Sequence, residues 1–144
     1  MPRDLTYPIA LEKGDEGDVV VTFPDLPEAI TFGWSEAEAL ASAPDALRVA
    51  LRVRMRDGED IPNPSPIEPG SLSISAPAEV AAKLMVLDAF KRANISKVEL
   101  AKRLGVLENE ARRILDPDHR TKLDRLEQTA RALGGRLQME WHPL

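Results

Sequence analysis

Hydrophobic and polar residues alternate near the start of the chain with the period of two that is typical of a β-strand. Tyr7, Ile9 and Leu11 are separated by smaller or more polar residues, which predicts a half-buried strand. A second apolar run, VVVTF at residues 19–23, follows the segment KGDEGD, and these glycines and acidic residues favour a hairpin loop. Pro8 cannot donate to a strand ladder, so we expect it at a sheet edge or a bulge.

The period then changes to that of a helix. Ser-Glu-Ala-Glu, beginning at Ser35, matches a capping box, and apolar residues follow at helical spacing. The helix should end at Gly58. Pro44 removes one backbone hydrogen bond inside this pattern, and we therefore expect a kink or a restart near Ala43.

A proline-rich segment divides the chain into two parts. Residues 61–70, IPNPSPIEPG, hold four prolines, a composition that favours a stiff, extended connector. The following SLSIS, residues 71–75, predicts a last strand or a strand-like arm. The sequence therefore predicts an α+β fold with two domains, residues 1–70 and residues 71–144.

Four helices are predicted in the second domain. The first stops at Asn94, which tolerates a left-handed conformation. The second begins at a capping box from Ser96 and ends at Gly105, the third covers residues 107–115, and the last ends at Gly134.

The two short helices around Gly105, with a small residue four positions before it, form the pattern of a helix-turn-helix. They resemble the lambda-repressor-like group of DNA-binding domains, which place the second helix in the major groove. A helical bundle used only for dimerisation is the alternative. The candidate DNA contacts are Ser96, Lys97, Glu108, Asn109, Arg112, Arg113, His119, Arg120 and Lys122.

These candidates differ in the chemistry that they offer to DNA. Asn109 can pair with adenine, and Arg112 and Arg113 can pair with guanine. The segment DPDHRTK adds His119, Arg120 and Lys122, which suit contacts to phosphate. Glu108 and Glu110 repel phosphates at the start of the recognition helix, which predicts weak binding or a preference for sites that offer a cytosine amino group.

The end of the chain again alternates as a strand does. Leu137, Met139 and Trp141 are separated by Gln138 and Glu140, which predicts a terminal strand. A single strand cannot satisfy its own backbone groups, so it must pair either with SLSIS or with its twin in a second subunit. A homodimer, or a higher homo-oligomer, suits a palindromic DNA site.

Composition limits the possible functions. The chain has 144 residues and no cysteine, which excludes disulfides and thiolate–zinc sites. No apolar run of membrane-spanning length and no secretory leader is present, so no membrane contact and a cytoplasmic location are expected. Residues 1–76 contain 6 Lys or Arg and 14 Asp or Glu, a net charge of −8, whereas residues 77–144 contain 13 and 10, a net charge of +3. The first half suits a basic protein partner and the second suits phosphates.

Catalytic chemistry finds little support in the sequence. Asp15, Glu16 and Asp18 lie together in one hairpin loop, where acidic residues and glycine are ordinary turn residues. Metal-dependent nuclease chemistry needs carboxylates that converge from different elements. His119 and His142 lie far apart in sequence. We therefore expect no catalytic residue, no metal site, no cofactor and no enzymatic activity.

The order of motifs along nearly the whole chain resembles the HicB family of antitoxins. The matching segments are YPIALEK, a glycine-bearing hairpin, FPDLP, a helix starting near SEAEAL, and DGEDIPNPS, followed by the repressor-like domain. The resemblance implies an N-terminal domain with a partial RNase H-like fold that lacks a catalytic centre. It also implies that this domain binds a small basic HicA-type toxin that cleaves mRNA, and that the C-terminal domain binds operator DNA and represses the operon.

On this resemblance the FPDLP corner fixes the sheet edge and loop that meet the toxin. The implied toxin-binding residues are Asp25, Leu26, Pro27 and Trp34. Trp34 is either an interface anchor or a lid on the core. Glu28-Ala29 departs from the Gly-Cys that members often carry after the second proline. A stand-alone transcription regulator whose N-terminal domain senses a ligand or joins subunits is the alternative function.

Overall fold

The structure is a computed structural model that describes residues 4–144, and its elements confirm an α+β fold. The strands are β1 (Thr6–Pro8), β2 (Ala10–Lys13), β3 (Val19–Thr22), β4 (Ile30–Gly33) and β5 (Ser73–Ser75). The helices are α1 (Glu36–Asp57), α2 (Ala78–Ala93), α3 (Lys97–Leu104), α4 (Glu108–Ile114) and α5 (Leu123–Ala132). The chain divides into two compact units, which we name the sheet unit, up to Val80, and the helical unit, Ala81–Leu144.

The strands of the sheet unit form two small antiparallel sheets. β2, β3 and β4 follow one another as a three-stranded meander, and β1 pairs with β5. The predicted first strand is therefore interrupted, because Ile9 leaves the β2 ladder and donates its backbone N–H to Leu72 at 3.1 Å. Pro8 is the last residue of β1, in agreement with its inability to continue a ladder.

Helix α1 covers one face of the meander. Its start is confirmed, because the Ser35 hydroxyl accepts from the Glu38 backbone N–H at 3.1 Å, and its end is confirmed at Gly58, which has a φ of 72°. The expected restart near Ala43 is wrong: α1 is continuous through Pro44. Ala39, Ala43 and Leu47 are buried, and this tertiary packing offsets the one lost backbone bond.

The proline-rich segment is attached to the sheet unit. The Tyr7 hydroxyl donates to the backbone carbonyl of Pro62 at 2.7 Å, and Ile61 is buried. Since β5 pairs with β1, the chain divides only after Val80, ten residues beyond the predicted boundary at residue 70. The segment is thus part of the sheet unit instead of a free connector.

The helical unit has two hydrophobic clusters. One includes Val86, Ile114 and Leu126, and the other includes Leu100 and Ala111. The predicted helix ends are confirmed by left-handed conformations at Asn94, Gly105 and Gly134, whose φ values are 52°, 68° and 87°.

The predicted terminal strand is wrong for the single chain. Residues 135–144 form no regular secondary structure, and Met139 and Trp141 are exposed. SLSIS, one of the two expected partners, is already paired with β1 through its residues Ser73–Ser75. The terminal segment therefore has no strand ladder that would satisfy its backbone groups.

Candidate partner-binding and nucleic-acid-binding surfaces

The FPDLP segment folds into a compact turn that we name the proline corner, residues 23–29. Phe23 and Leu26 are almost completely buried. The backbone N–H of Leu26 donates to the Phe23 carbonyl at 2.9 Å, and that of Ala29 donates to the Leu26 carbonyl at 2.8 Å. Because its apolar side chains point inward, the corner presents Pro24 and Pro27 to solvent.

Asp25 connects the corner to the proline-rich segment. Its two carboxylate oxygens accept from Ser65, one from the backbone N–H at 2.8 Å and one from the hydroxyl at 2.6 Å. The two residues are 40 positions apart. The side chain of Asp25 thus forms internal hydrogen bonds that join the proline corner to the proline-rich segment.

Arg54 of α1 holds the other end of the corner. Its Nε and Nη2 atoms donate to the two carboxylate oxygens of Glu28, and its Nη1 donates to the Asp60 carbonyl at 3.0 Å. The hydrogen bonds from Arg54 hold the pKa of Glu28 below its ordinary value. Glu28 therefore joins the corner to the end of α1.

The four residues expected to bind the toxin thus lie in different environments. Leu26 is buried and shapes the core, Asp25 is half-buried and bonded to Ser65, and Pro27 and Trp34 are exposed. Trp34 is 60% exposed, so it does not act as a lid on the core. Ile30 and Phe32, which sequence reasoning did not single out, are exposed beside it.

Replacement of Asp25 by alanine should release the proline-rich segment. Both hydrogen bonds to Ser65 would be lost, and we expect the free energy of unfolding to fall by about 1–2 kcal/mol. Hydrogen exchange at residues 61–70 should accelerate. The control is Ser65→Ala, which removes the hydroxyl but keeps the backbone donor and should give a smaller effect. Unchanged exchange in Asp25→Ala would show that Tyr7 and Ile61 hold the segment without it.

In the helical unit, α3 and α4 are joined by three residues, Gly105 to Leu107. Ser96 accepts from the Glu99 backbone N–H at 3.0 Å, so its hydroxyl caps α3. Leu107 precedes α4 without a side-chain cap and is 74% exposed. The helix pair therefore has a capped first helix and a second helix whose first backbone N–H groups lack a side-chain acceptor.

The exposed face of α4 carries four of the nine candidate DNA contacts. Asn109 and Arg113 are exposed, and Arg112 donates from Nη2 to the Glu108 carboxylate at 2.6 Å. Glu110, the other acidic residue of the first turn, lies 3.8 Å from Arg125 of α5. Lys97, His119, Arg120 and Lys122 are also exposed. Glu108 therefore neutralises one of the two arginines on this face.

Lys83 of α2 fixes the C-terminal end of α4, which sequence reasoning missed. Its Nζ atom donates to the Ile114 carbonyl at 2.8 Å, to the Asp116 carbonyl at 3.1 Å and to the Thr121 hydroxyl at 2.7 Å. The side chain is 5% exposed, and burial lowers its pKa to about 8, although the charge of Asp116 acts in the opposite direction. A lysine inside the apolar run VAAKLMVL was the available signal.

Among residues 4–144, no group of three or more His, Cys, Asp or Glu residues is arranged to hold a metal ion. No helix in the same range is long and apolar enough to cross a membrane.

Comparison with known proteins identifies the family. Residues 6–85 match the family model described as the HicB-like antitoxin of the bacterial toxin–antitoxin system. The chain is 40% identical to "Antitoxin HicB 1" of Photorhabdus laumondii, over 95% of this chain and 87% of that protein. It is 39% identical to "Antitoxin HicB" of Escherichia coli, over 94% of this chain and 98% of that protein. The N-terminal domain of Burkholderia pseudomallei HicB overlays on 51% of this chain and 96% of its own, with 23% identity and a TM-score of 0.41.

These matches define the class of the protein as an antitoxin of a toxin–antitoxin system. The chain belongs to the HicB-like antitoxin family, which the motif order along the sequence had indicated. A toxin partner follows from that class.

Proposed function

We propose that this antitoxin neutralises a small basic HicA-type toxin that cleaves mRNA, and that it represses its own operon through α3 and α4 as a helix-turn-helix. The observation that carries the proposal is the division of charge between the two units. Residues 1–80 contain 6 Lys or Arg and 15 Asp or Glu, a net charge of −9, whereas residues 81–144 contain 13 and 9, a net charge of +4.

The acidic sheet unit suits a basic partner. Opposite charges accelerate encounter, and they disfavour nucleic acid as a competitor for the same surface. The family match covers almost all of this unit. In this role the protein covers the RNA-binding or catalytic face of the toxin and carries out no chemistry itself.

The basic helical unit suits operator DNA. α4 presents Asn109 and Arg113 on its exposed face, and these side chains can form bidentate contacts with adenine and guanine. Lys97, His119, Arg120 and Lys122 supply phosphate contacts around it. A homodimer would place two copies of α4 on the half-sites of an inverted repeat.

Co-expression with the small reading frame next to its gene tests the toxin-binding part of the proposal. Native mass spectrometry should give a hetero-complex, and expression of the neighbour alone should arrest growth. A homo-oligomer that ignores the neighbour would support a stand-alone regulator instead. Band-shift assays with the DNA upstream of the gene test repression separately.

Glu108→Gln should increase operator affinity. The substitution removes a negative charge beside the phosphates and frees Arg112 from its ion pair. We expect binding to strengthen by about three- to tenfold at moderate salt, with a steeper dependence on salt concentration. The assay is a salt titration of binding to the upstream DNA.

Glu127→Gln is the matched control, because Glu127 forms the same i,i+4 pair with Arg131 on α5, at 3.2 Å. The Glu127→Gln variant changes the net charge of the protein by the same amount, but at a site outside α4. Equal gains in both variants would attribute the effect to net charge, and no gain in Glu108→Gln would mean that α4 does not face the DNA.

A further inference from the structure

The face of the meander that points away from α1 is apolar and open. Residues directly opposite on antiparallel strands share a face, which gives two rows across the three strands. One row is Glu12–Val20–Phe32 and the other is Ala10–Thr22–Ile30. We name this surface, together with Trp34, the aromatic face.

The opposite face of the sheet is the one that α1 covers. A Cβ atom built on Gly33 would lie 2.4 Å from the backbone nitrogen of Ala39, so α1 approaches β4 on the Gly33 side. Val21, whose side chain points to that same side, is fully buried. The apolar residues Ile30 and Phe32 therefore alternate onto the side opposite α1.

Three large side chains on the aromatic face are mainly exposed. Ile30 and Trp34 are 60% exposed and Phe32 is 54% exposed. The Phe32 and Trp34 rings pack edge to face, with centroids 5.8 Å apart and an interplanar angle of 88°. Such a cluster of adjacent exposed aromatic residues is typical of a protein interface instead of an ordinary surface.

Acidic residues surround the aromatic face. Glu12 lies in the same row as Phe32, and the Glu38 carboxylate accepts from the Trp34 backbone N–H at 3.2 Å. Asp15 and Glu16 are exposed in the hairpin that joins β2 to β3. A second copy of this surface would bring these like charges together, which disfavours self-association through it.

We infer that the aromatic face is the docking surface for the basic toxin. This inference rests on the proposed function and assigns its toxin contact to the open sheet face formed by β3 and β4. Phe32 and Trp34 anchor the interface, and Glu12 and Glu38 pair with cationic residues at its rim. A lysine or arginine of the toxin stacks on the exposed indole of Trp34. The proline corner then acts mainly as a support that fixes the start of β4.

Binding to the product of the neighbouring reading frame tests the inference in the full chain. Phe32→Ala and Trp34→Ala should each weaken the complex by about tenfold or more, because exposed aromatic anchors dominate interface energies. The matched control is Trp141→Ala, which removes an exposed tryptophan of the helical unit and should leave affinity unchanged. Circular dichroism should show wild-type folding in all three variants, since these side chains contribute little to the core.

A second readout follows Trp34 directly. The chain contains two tryptophans, so labelling with 5-fluorotryptophan gives two fluorine resonances, and Trp141→Phe assigns them. Addition of the neighbour's product should shift or broaden the Trp34 resonance and leave that of Trp141 in place.

The outcomes separate this inference from the proposed function. Absence of any complex in the wild type would overturn both. A wild-type complex that Phe32→Ala and Trp34→Ala leave intact would overturn only the docking surface. A change of oligomeric state in these variants, with toxin affinity retained, would show that the face joins copies of the antitoxin and would overturn the inference as well.

Discussion

Gly33→Ala should destabilise the sheet unit by about 3 kcal/mol or more, one of the largest effects expected from a single methyl group in this chain. An added Cβ would lie 2.4 Å from the Ala39 nitrogen, 2.8 Å from the Glu38 carbonyl carbon and 2.9 Å from the Ala39 Cα. These are all backbone atoms of α1, so no side-chain rotation can relieve the overlap. The helix must move away from β4, and Val21 and Ala39 would lose their close packing.

Urea denaturation of the full chain, with hydrogen exchange of β3 and β4 peptides, measures this effect. Gly14→Ala is the control in the same unit. The three atoms nearest to an added Cβ there all belong to the Asp18 carboxylate, the first at 2.1 Å, and that side chain can rotate away. We expect a small change for Gly14→Ala, and equal stabilities of the two variants would mean that α1 is not held tightly against β4.

Gly33 also explains why the sequence did not reveal the aromatic face. Ile30 and Phe32 alternate with Thr31 and Gly33, and such a pattern normally places the larger apolar residues on the buried side. Here the helix backbone approaches so closely that the buried side accepts only glycine at position 33. The choice of face therefore depends on a non-local contact with α1.

The sequence predicted the helix caps and the left-handed turns correctly, but it did not predict the contacts between distant segments of the chain. The caps at Ser35 and Ser96 and the left-handed turns at Gly58 and Gly105 depend on a few neighbouring residues, and the structure confirms them. The attachment of the proline-rich segment depends on Asp25 and Ser65, which are 40 residues apart. No local pattern carries that information.

The terminal segment shows that the period of a strand in the sequence does not by itself produce a strand. Its alternation of Leu137, Met139 and Trp141 has the period of a strand, but a strand also requires a partner. β5 is already occupied by β1, so residues 136–144 remain irregular in the single chain. The periodicity indicated a tendency to form a strand, but without a pairing strand the segment stays irregular in the single chain.

Lys83→Met should destabilise the helical unit by about 2 kcal/mol or more at pH 7. The ammonium group has three N–H donors, and Ile114, Asp116 and Thr121 supply three acceptors within 3.1 Å. Methionine matches the length of the lysine stem but removes the donor to the buried Ile114 carbonyl, and the loss of a donor at a buried carbonyl is costly. The Asp116 carbonyl still accepts from the His119 backbone N–H at 3.1 Å. Lys91→Met is the matched control on the same helix, because Lys91 is exposed, and it should change stability by less than about 0.5 kcal/mol.

The contribution of Lys83 to the free energy of unfolding should also depend on pH, and the direction of this dependence follows from its lowered pKa. Below about pH 8 the amine is protonated in both the folded and the unfolded chain, so the difference between wild type and Lys83→Met is constant. Between about pH 8 and the ordinary pKa of 10.5, the folded chain carries neutral Lys83 while the unfolded chain still binds the proton. Unfolding then takes up a proton, and rising pH stabilises the wild type relative to the variant. Urea denaturation of both proteins at pH 7, 8, 9 and 10 measures this difference.

If the difference in the free energy of unfolding between wild type and Lys83→Met stays constant up to pH 10, the three acceptors keep Lys83 charged in spite of its burial. In either case the contact bears on the proposed DNA binding, because Lys83 ties α2 to the C-terminal end of α4 and to the segment that carries His119 and Arg120. If α4 is the DNA-reading helix, as we propose, Lys83→Met should weaken operator binding without removing any of the proposed DNA contacts. Its loss of affinity should be accompanied by faster hydrogen exchange in α4, whereas Arg113→Ala should lose affinity with exchange unchanged.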